Sequence, residues 1–303
     1  MKSGRNLKNF VLTEIRRQLK FLKNLLKMKS KNTTSESSGI YDSRNRVNDL
    51  TGKDWLQLSK SVWTSERCAE DKEAFKHPAP FLIEDIRKLI RLFTKKENLV
   101  LDPFMGSGTT LIASSLEGRH SIGIDLNKKY CNLAKSRLKK LKLNSYKIES
   151  GNSLKIIPKL RKNVDYCVTS PPYHNILRNK GGGIRADGSQ KRQGVEYYSE
   201  DPKDVGNQKD YKSFLKIFEE IMSKVYTKLN KGKYCSIIIS DFTVNKKETN
   251  AHGDVINLMQ NIGFEFCGNV ILAQNSKPLY PFGYPYAYKI NHHHQYILNF
   301  RKI

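Results

Sequence analysis

The sequence predicts an α/β fold, a doubly wound and mostly parallel sheet of seven strands with helices on both faces. Three observations predict it. From about residue 77 onward, short apolar runs alternate with segments whose apolar residues recur every three to four positions, the alternation that inserts crossover helices between parallel strands. NLVLD and VDYCV are apolar enough to read as buried strands. The first of these passes directly into a helix through the glycine turn MGSGTT. With 303 residues and 38% apolar content, the chain has material for one large core plus an extension rather than two full domains.

Taken in order, residues 1–31 carry ten Lys and Arg against one acid, Glu14, and place Phe10, Val11, Ile15, Leu19, Leu22, Leu25 and Leu26 at helical spacing. This is the pattern of a basic amphipathic helix. Its apolar stripe would dock on the body of the protein or on a second copy while its charges face phosphate; a solvated terminus is the plainer alternative. SKNTTSESSGIYDSRNR, residues 30–46, reads as a polar linker. Residues 1–50 are therefore assigned to helix and linker, and 51–303 to the main domain. In HPAPFLIEDIRKLIRLFTKK, Leu82, Ile86, Leu89, Ile90 and Phe93 share one helix face. Next come NLVLDPF as strand, MGSGTTLIASSLEGR as turn and helix, SIGIDL as strand, NKKYCNLAKSRLKKL as helix, YKIES as a short strand and VDYCVTS as strand. Phe214, Ile217, Phe218, Ile221, Val225 and Leu229 mark a long helix, and YCSIIISDF, FEFCGNVILA and QYILNFRK complete the seven strands. Ligands of such a sheet lie beyond the carboxyl ends of its strands.

Charge narrows the function classes. Lys and Arg number 54 against 29 Asp and Glu, a net charge of +25 with pI about 9.8, which predicts attraction to a polyanion such as nucleic acid or an anionic membrane face. No apolar run is long enough to span a bilayer, and the N-terminus lacks the apolar core and cleavage site of a signal peptide, so a cytoplasmic protein without membrane attachment is expected. Cys68, Cys131, Cys167, Cys235 and Cys267 are scattered with no CxxC pair, which suits a reducing compartment and argues against a disulfide framework or zinc site. His292, His293 and His294 alternate faces on a strand and do not converge on one ion, so no metal is expected.

Three segments fall at the carboxyl ends of strands. In DPFMGSGTT, residues 102–110, Gly106 and Gly108 allow a tight turn and close approach of a ligand to the helix start. The segment lacks the lysine of a P-loop and the third glycine of a dinucleotide fingerprint. Asp125 in SIGIDLN is placed to accept hydrogen bonds from ribose hydroxyls. In TSPPY, residues 169–173, two prolines hold an extended turn whose carbonyls have no local donor, beside the aromatic face of Tyr173. A flat base could stack there while its amine donates to Ser170 and to the carbonyl of Ser170 or Pro171.

DPFMGSGTT, then SIGIDLN, then TSPPY together resemble the amino-directed DNA methyltransferases, which transfer a methyl group from S-adenosylmethionine to an exocyclic nitrogen of a base. HPAPFLIEDIRKLI is similar to the family segment that closes over the methionine end of the cofactor, and LNKGKYCSIIISDF, GYPYAYK and NHHHQYILNFRK resemble its later strands and connections. The resemblance spans about residues 60–303 and implies a Rossmann-like class I methyltransferase fold. It implies that Asp102, Phe104, Gly106, Gly108 and Thr109 surround the methionine part of the cofactor and that Asp125 binds its ribose. Asn152 stands where the family usually has Asp near the adenine amine. Ser170, Pro171, Pro172 and Tyr173 match the catalytic tetrapeptide, and Tyr173 would stack the flipped base. Serine at its head is in the family more often associated with N4 of cytosine, and Asp or Asn with N6 of adenine, so cytosine is the expected target and adenine the alternative. An RNA methyltransferase acting on N2 of guanine, and a DNA-binding protein without catalysis, are the remaining readings. The family also implies double-stranded DNA as partner and a cognate restriction endonuclease in a restriction-modification system, with monomer and homodimer both open. Residues 174–210 form the candidate DNA-recognition insertion, with Arg178, Lys180, Arg185, Lys191 and Arg192 as its basic contacts.

Overall fold

The computed structural model describes residues 39–172, 204–244, 247–275, 277 and 279–303. The basic segment 1–31, Tyr173 and the five basic residues of the insertion lie outside the described residues. Residues 41–303 form one compact unit. Its elements in chain order are α1 (Gly52–Leu58), β1 (Val62–Thr64), α2 (Ile83–Phe93), β2 (Leu99–Asp102), α3 (Thr109–Leu116), β3 (His120–Asp125), α4 (Lys128–Lys140), β4 (Tyr146–Ser150), α5 (Ser153–Ile156), β5 (Val164–Thr169), α6 (Tyr211–Lys228), β6 (Leu229–Ile239), β7 (Thr243–Val244), β8 (Lys247–Glu248), α7 (Ala251–Ile262), β9 (Phe264–Ala273) and β10 (His294–Lys302).

Eight strands form the main sheet in the order β1-β9-β10-β6-β5-β2-β3-β4. All neighbours pair in parallel except β10, which is antiparallel to both β6 and β9. From the β2–β5 pair the chain winds outward in opposite directions, so the topological switch point lies between the ends of β2 and β5. The antiparallel insertion of β10 brings its first residue, His294, level with Ala273 at the end of β9, on the same edge as the ends of β5 and β6. The sequence predicts a mostly parallel doubly wound sheet, and this topology realises it with one strand more than the seven anticipated. β1 is three residues long, too short to show a period, and adds to the edge through Val62 opposite Ile271.

Successive strand residues point to opposite faces, and both faces are covered. Leu101, Cys167, Ile237 and Ile239 pack with Phe214, Phe218 and Met222 of α6 and with Val255, Leu258 and Met259 of α7. Val100, Tyr166, Val168 and Ile238 pack on the other face with Ile86, Leu89 and Ile90 of α2. Two-sided burial is why these strands are apolar without alternation, and each fully buried side chain of this size contributes roughly 1.5–3 kcal/mol.

Two elements depart from the sequence pattern for identifiable reasons. α2 starts only at Ile83, because Pro78 and Pro80 hold HPAPFL out of the helix, and its first amide is satisfied from a distance by Asp71 Oδ1 at 3.0 Å. α7 was not anticipated, since His252, Gly253 and Asp254 open it with polar or helix-weakening residues. Asn250 caps its start and Gly263, at φ +112°, ends it.

Candidate active site

The site is built where β2 gives way to α3. Gly106 and Gly108 adopt φ of +52° and +79°, the left-handed region that favours glycine. A Cβ on Gly108 would come within 2.6 Å of the Ala134 methyl on α4, and one on Gly106 would meet the His77 ring at 3.1 Å. The loop therefore runs between α4 and His77 with no space for a side chain at either glycine. The Met105 amide donates to the Ile124 carbonyl at 2.9 Å, and the Gly106 amide to Asp125 Oδ2 at 2.8 Å. Loop and acid are thus one hydrogen-bonded unit.

Asp125 ends β3, and its second oxygen accepts the Asn127 amide at 2.8 Å. Burial pushes its carboxyl up to about 7, the two amide donors opposing that rise. One further lone pair remains on each oxygen after these bonds. The Asp125 carbonyl accepts the Gly151 amide at 2.9 Å, which brings the end of β4 alongside. Next in the chain, Asn152 caps α5 by accepting the Leu154 amide at 2.8 Å, and Ser153 donates to the Pro103 carbonyl at 2.6 Å.

Asp102 lies beneath these groups. It is 0% exposed, and its carboxylate accepts from the hydroxyls of Thr110 at 2.6 Å and Thr169 at 2.7 Å and from the Phe104 amide at 3.1 Å. Burial raises its carboxyl to about 6 against the pull of those three donors. Thr169 is the last residue of β5, directly before Ser170. Asp102 therefore ties the glycine loop to the serine-proline segment across the switch point. Ser170 and Pro172 are half-buried at the strand end, and Pro171 is buried.

The sequence-predicted residues of the loop, Asp125, Asn152, Ser170, Pro171 and Pro172 thus come together on one edge of the sheet. Within that set, Phe104 turns its ring toward Phe218 at 6.2 Å, and Thr109 donates to the Phe81 carbonyl at 3.2 Å. Four residues of this frame were missed in the sequence. Arg137, 3% exposed, donates from Nη1 to the Ser107 carbonyl at 2.7 Å and to Thr109 Oγ1 at 3.0 Å. His77 lies over Gly106 with its ring edge-on to Tyr130 at 4.4 Å, and burial lowers its imidazole to about 4, so it is neutral. Thr110 and Thr169 flank motifs and looked like ordinary helix and strand residues. Only a polar residue at an otherwise apolar strand end, in the case of Thr169, could have signalled them. Away from this frame, His292 pairs with Glu248 at 2.6 Å and His294 meets the Tyr296 ring edge-on.

A family model described as DNA methylase matches residues 7–136 and 164–303. The Type II methyltransferase M2.LlaDCHI of Lactococcus lactis subsp. cremoris is 42% identical over 82 residues, 27% of this chain and 30% of that protein. The Type II methyltransferase M2.DpnII of Streptococcus pneumoniae is 38% identical over 99 residues, 32% of this chain and 35% of that protein. The chain thus spans about a third of the length of these curated relatives. Among solved structures, TrmN from Thermus thermophilus aligns with a TM-score of 0.48 at 13% identity, covering 78% of this chain and 52% of that one.

Proposed function

The chain belongs to the DNA methylase family, and from that premise we propose that it methylates the exocyclic N4 amine of cytosine in double-stranded DNA, with S-adenosylmethionine as methyl donor. The observation that carries the reading is the convergence of the glycine loop, Asp125 and Ser170–Pro172 at the switch point, tied together through Asp102. The residues present fit the donor. Gly106 and Gly108 supply the left-handed backbone that turns the loop into α3, and Asp125 keeps one lone pair on each oxygen for a ribose diol. Asn152 Oδ1, already accepting one amide, has a second lone pair for the adenine amine. When bound, S-adenosylmethionine supplies an electrophilic methyl group on a sulfonium.

The protein's part is orientation. An exocyclic amine is a weak nucleophile because its lone pair is delocalised into the ring. Acceptors at Ser170 and at the carbonyls of Ser170 and Pro171 would hold both amine hydrogens and favour a more pyramidal nitrogen. Proline has no amide hydrogen, so nothing local competes for these carbonyls. Tyr173 would stack the base once it leaves the duplex, offsetting part of an unstacking cost of roughly a few kcal/mol. Serine at the head of the tetrapeptide favours cytosine within the family. The charge of +25 suits a phosphate backbone, with Arg178, Lys180, Arg185, Lys191 and Arg192 of the 174–210 insertion as the recognition contacts. The names of the Type II relatives support a role in restriction-modification.

The test is incubation with methyl-labelled S-adenosylmethionine and unmethylated genomic DNA, with total RNA in parallel, followed by nucleoside mass spectrometry. N4-methylcytosine is the expected product. N6-methyladenine would keep the chemistry and replace the target, whereas label in RNA alone, or none, would overturn the reading.

A further inference from the structure

The same edge of the sheet carries a second cluster to which the reading above gives no role. β6 ends at Ile239, and the chain continues through Ser240 to Asp241. Its parallel partner β5 pairs Thr169 with Ile237, the last pair of that ladder, so Ser170 leaves β5 at the same end of the sheet at which the chain leaves β6. Asp241 therefore follows the end of the strand that neighbours β5, on the same edge of the sheet as Ser170. His252, the second residue of α7, faces it. Its backbone amide donates to Asp241 Oδ1 at 3.1 Å, and its ring Nδ1 lies 2.9 Å from both carboxylate oxygens.

The imidazole is also held from the side. It lies on the Tyr296 ring of β10 with centroids 4.0 Å and planes 18° apart, and His294 meets that tyrosine edge-on at 4.9 Å. A helix cap would need only the main-chain contact. The second contact gives Nδ1 a proton to donate to the carboxylate, which leaves Nε2 a lone pair with no hydrogen-bond partner among the described residues. The His252 side chain is 27% exposed and that of Asp241 15%, so the dyad opens to the edge rather than into the core. A carboxylate that sets the tautomer and orientation of an imidazole is the arrangement by which proteins build a general base.

The proposed chemistry leaves one proton to place. The amine nitrogen uses its lone pair to form the bond to the methyl carbon, and the carbon–sulfur bond pair remains on sulfur, turning the sulfonium into a thioether. The nitrogen is then cationic until an N–H proton departs and leaves its bond pair behind. Ser170 offers a hydroxyl, which is a poor proton acceptor at neutral pH. We propose that His252 Nε2, oriented by Asp241, takes this proton, giving an imidazolium beside the carboxylate. The proposal rests on the methyl-transfer reading and adds its proton acceptor. The other titratable groups near the dyad are Tyr296, stacked on the imidazole, and His294 from β10, whose own charged neighbours include His292, His293 and Lys277, and Tyr211 and Asp254 beside Asp241, the tyrosine hydroxyl donating to Asp254 at 2.9 Å.

Single-turnover methylation of duplex DNA tests the role. His252→Gln should slow transfer by roughly 100-fold or more, with the dissociation constants for S-adenosylmethionine and for DNA within twofold of wild type. The acidic limb of the wild-type rate–pH profile should disappear in this variant. Added imidazole should partly restore His252→Ala, and the rescue should grow with pH as the base form of imidazole accumulates. Asp241→Asn should fall between wild type and His252→Gln. A His252→Gln variant with the wild-type rate and acidic limb would overturn the role, as would a rate loss matched by an equal loss of DNA affinity, which would make His252 a DNA contact. No methylation by the wild-type chain would remove the methyl-transfer reading itself, and this role with it; wild-type methylation with an unaffected variant would remove only the dyad.

Discussion

The two halves of the sheet edge are built in opposite ways. On the β2–β3–β4 side nearly every polar atom near the glycine loop is bonded within the protein, two acids are buried deeply enough to raise their carboxyls to about 6 and 7, and glycines sit where no Cβ fits. On the β6–β10–β9 side the same edge carries an imidazole dyad open to the surface and a connection whose Tyr284, Tyr286 and Tyr288 are 81%, 95% and 90% exposed. The contrast is what the proposed function requires of the two halves. A small ligand of fixed geometry repays a pre-bonded cradle, because every group ordered in advance lowers the cost of binding. A polymer is met by exposed rings and cations, which cover area without enclosing it.

Breaking the joint between the halves should have the largest effect. Asp102→Ala leaves the buried hydroxyls of Thr110 and Thr169 and the part-buried Phe104 amide without their acceptor. It should cost about 3 kcal/mol of stability, at roughly 1–3 kcal/mol per orphaned group with partial relaxation, and reduce turnover well beyond that loss. Asp102→Asn retains an acceptor and should recover part of both. Denaturant unfolding and single-turnover rates separate the two effects, and a neutral Asp102→Ala would mean that the halves are held independently.

Asp125 should come next and act on the cradle side alone. With its carboxyl near 7, a ribose diol that donates to the carboxylate binds its ionised form, so S-adenosylmethionine affinity should rise between pH 6 and 8 with release of a proton. Calorimetry in buffers of different ionisation enthalpy reads that proton directly. Asp125→Asn should bind about tenfold more weakly, at about 1.4 kcal/mol for the weaker acceptor, and lose the pH dependence. Stability of the ligand-free chain should run the other way. Asp102 and Asp125 hold their protons more tightly folded than unfolded, where the ordinary value is 3.8, so stability is full below pH 4 and is lost as pH rises through about 6 and 7. Thermal unfolding without ligand at pH 5 and pH 8 checks the sign.

The smallest structural effect should come from the exposed side. Replacing Tyr284, Tyr286 and Tyr288 together by Ala should leave the melting temperature within about 1 °C, since exposed substitutions cost under about 0.5 kcal/mol, while weakening DNA binding severalfold and leaving S-adenosylmethionine binding unchanged. Equal loss of both ligands would erase the distinction between the halves.

Much of the cradle was legible because its requirements are local. Gly106 and Gly108 need left-handed backbone, Asp125 ends a strand, and Ser170–Pro172 follow one, so each leaves a mark within a few residues of sequence. The frame around them was not legible. Arg137 reads as one more basic residue on a basic helix, yet it is buried against the Ser107 carbonyl 30 residues away. His77 reads as the start of a proline-bearing segment, yet it covers Gly106. α7 escaped notice because His252, Gly253 and Asp254 interrupt the apolar period of its first turn, and His252 there bonds Asp241.

Residue order alone dictates the alternation of buried strands and helices, the two glycines of the loop and the succession of the motif segments. These depend on side-chain volume, backbone permissiveness and spacing along the chain, all of which are local. Only the tertiary structure decided that Asp102 faces inward to join two motifs, that an arginine and a histidine close over the glycine loop, and that Asp241 and His252 meet beside the end of β5. Those pairings join residues separated by 8 to 67 positions. Their bonds exist only after the sheet has brought strand ends together and burial has made each polar group find a partner.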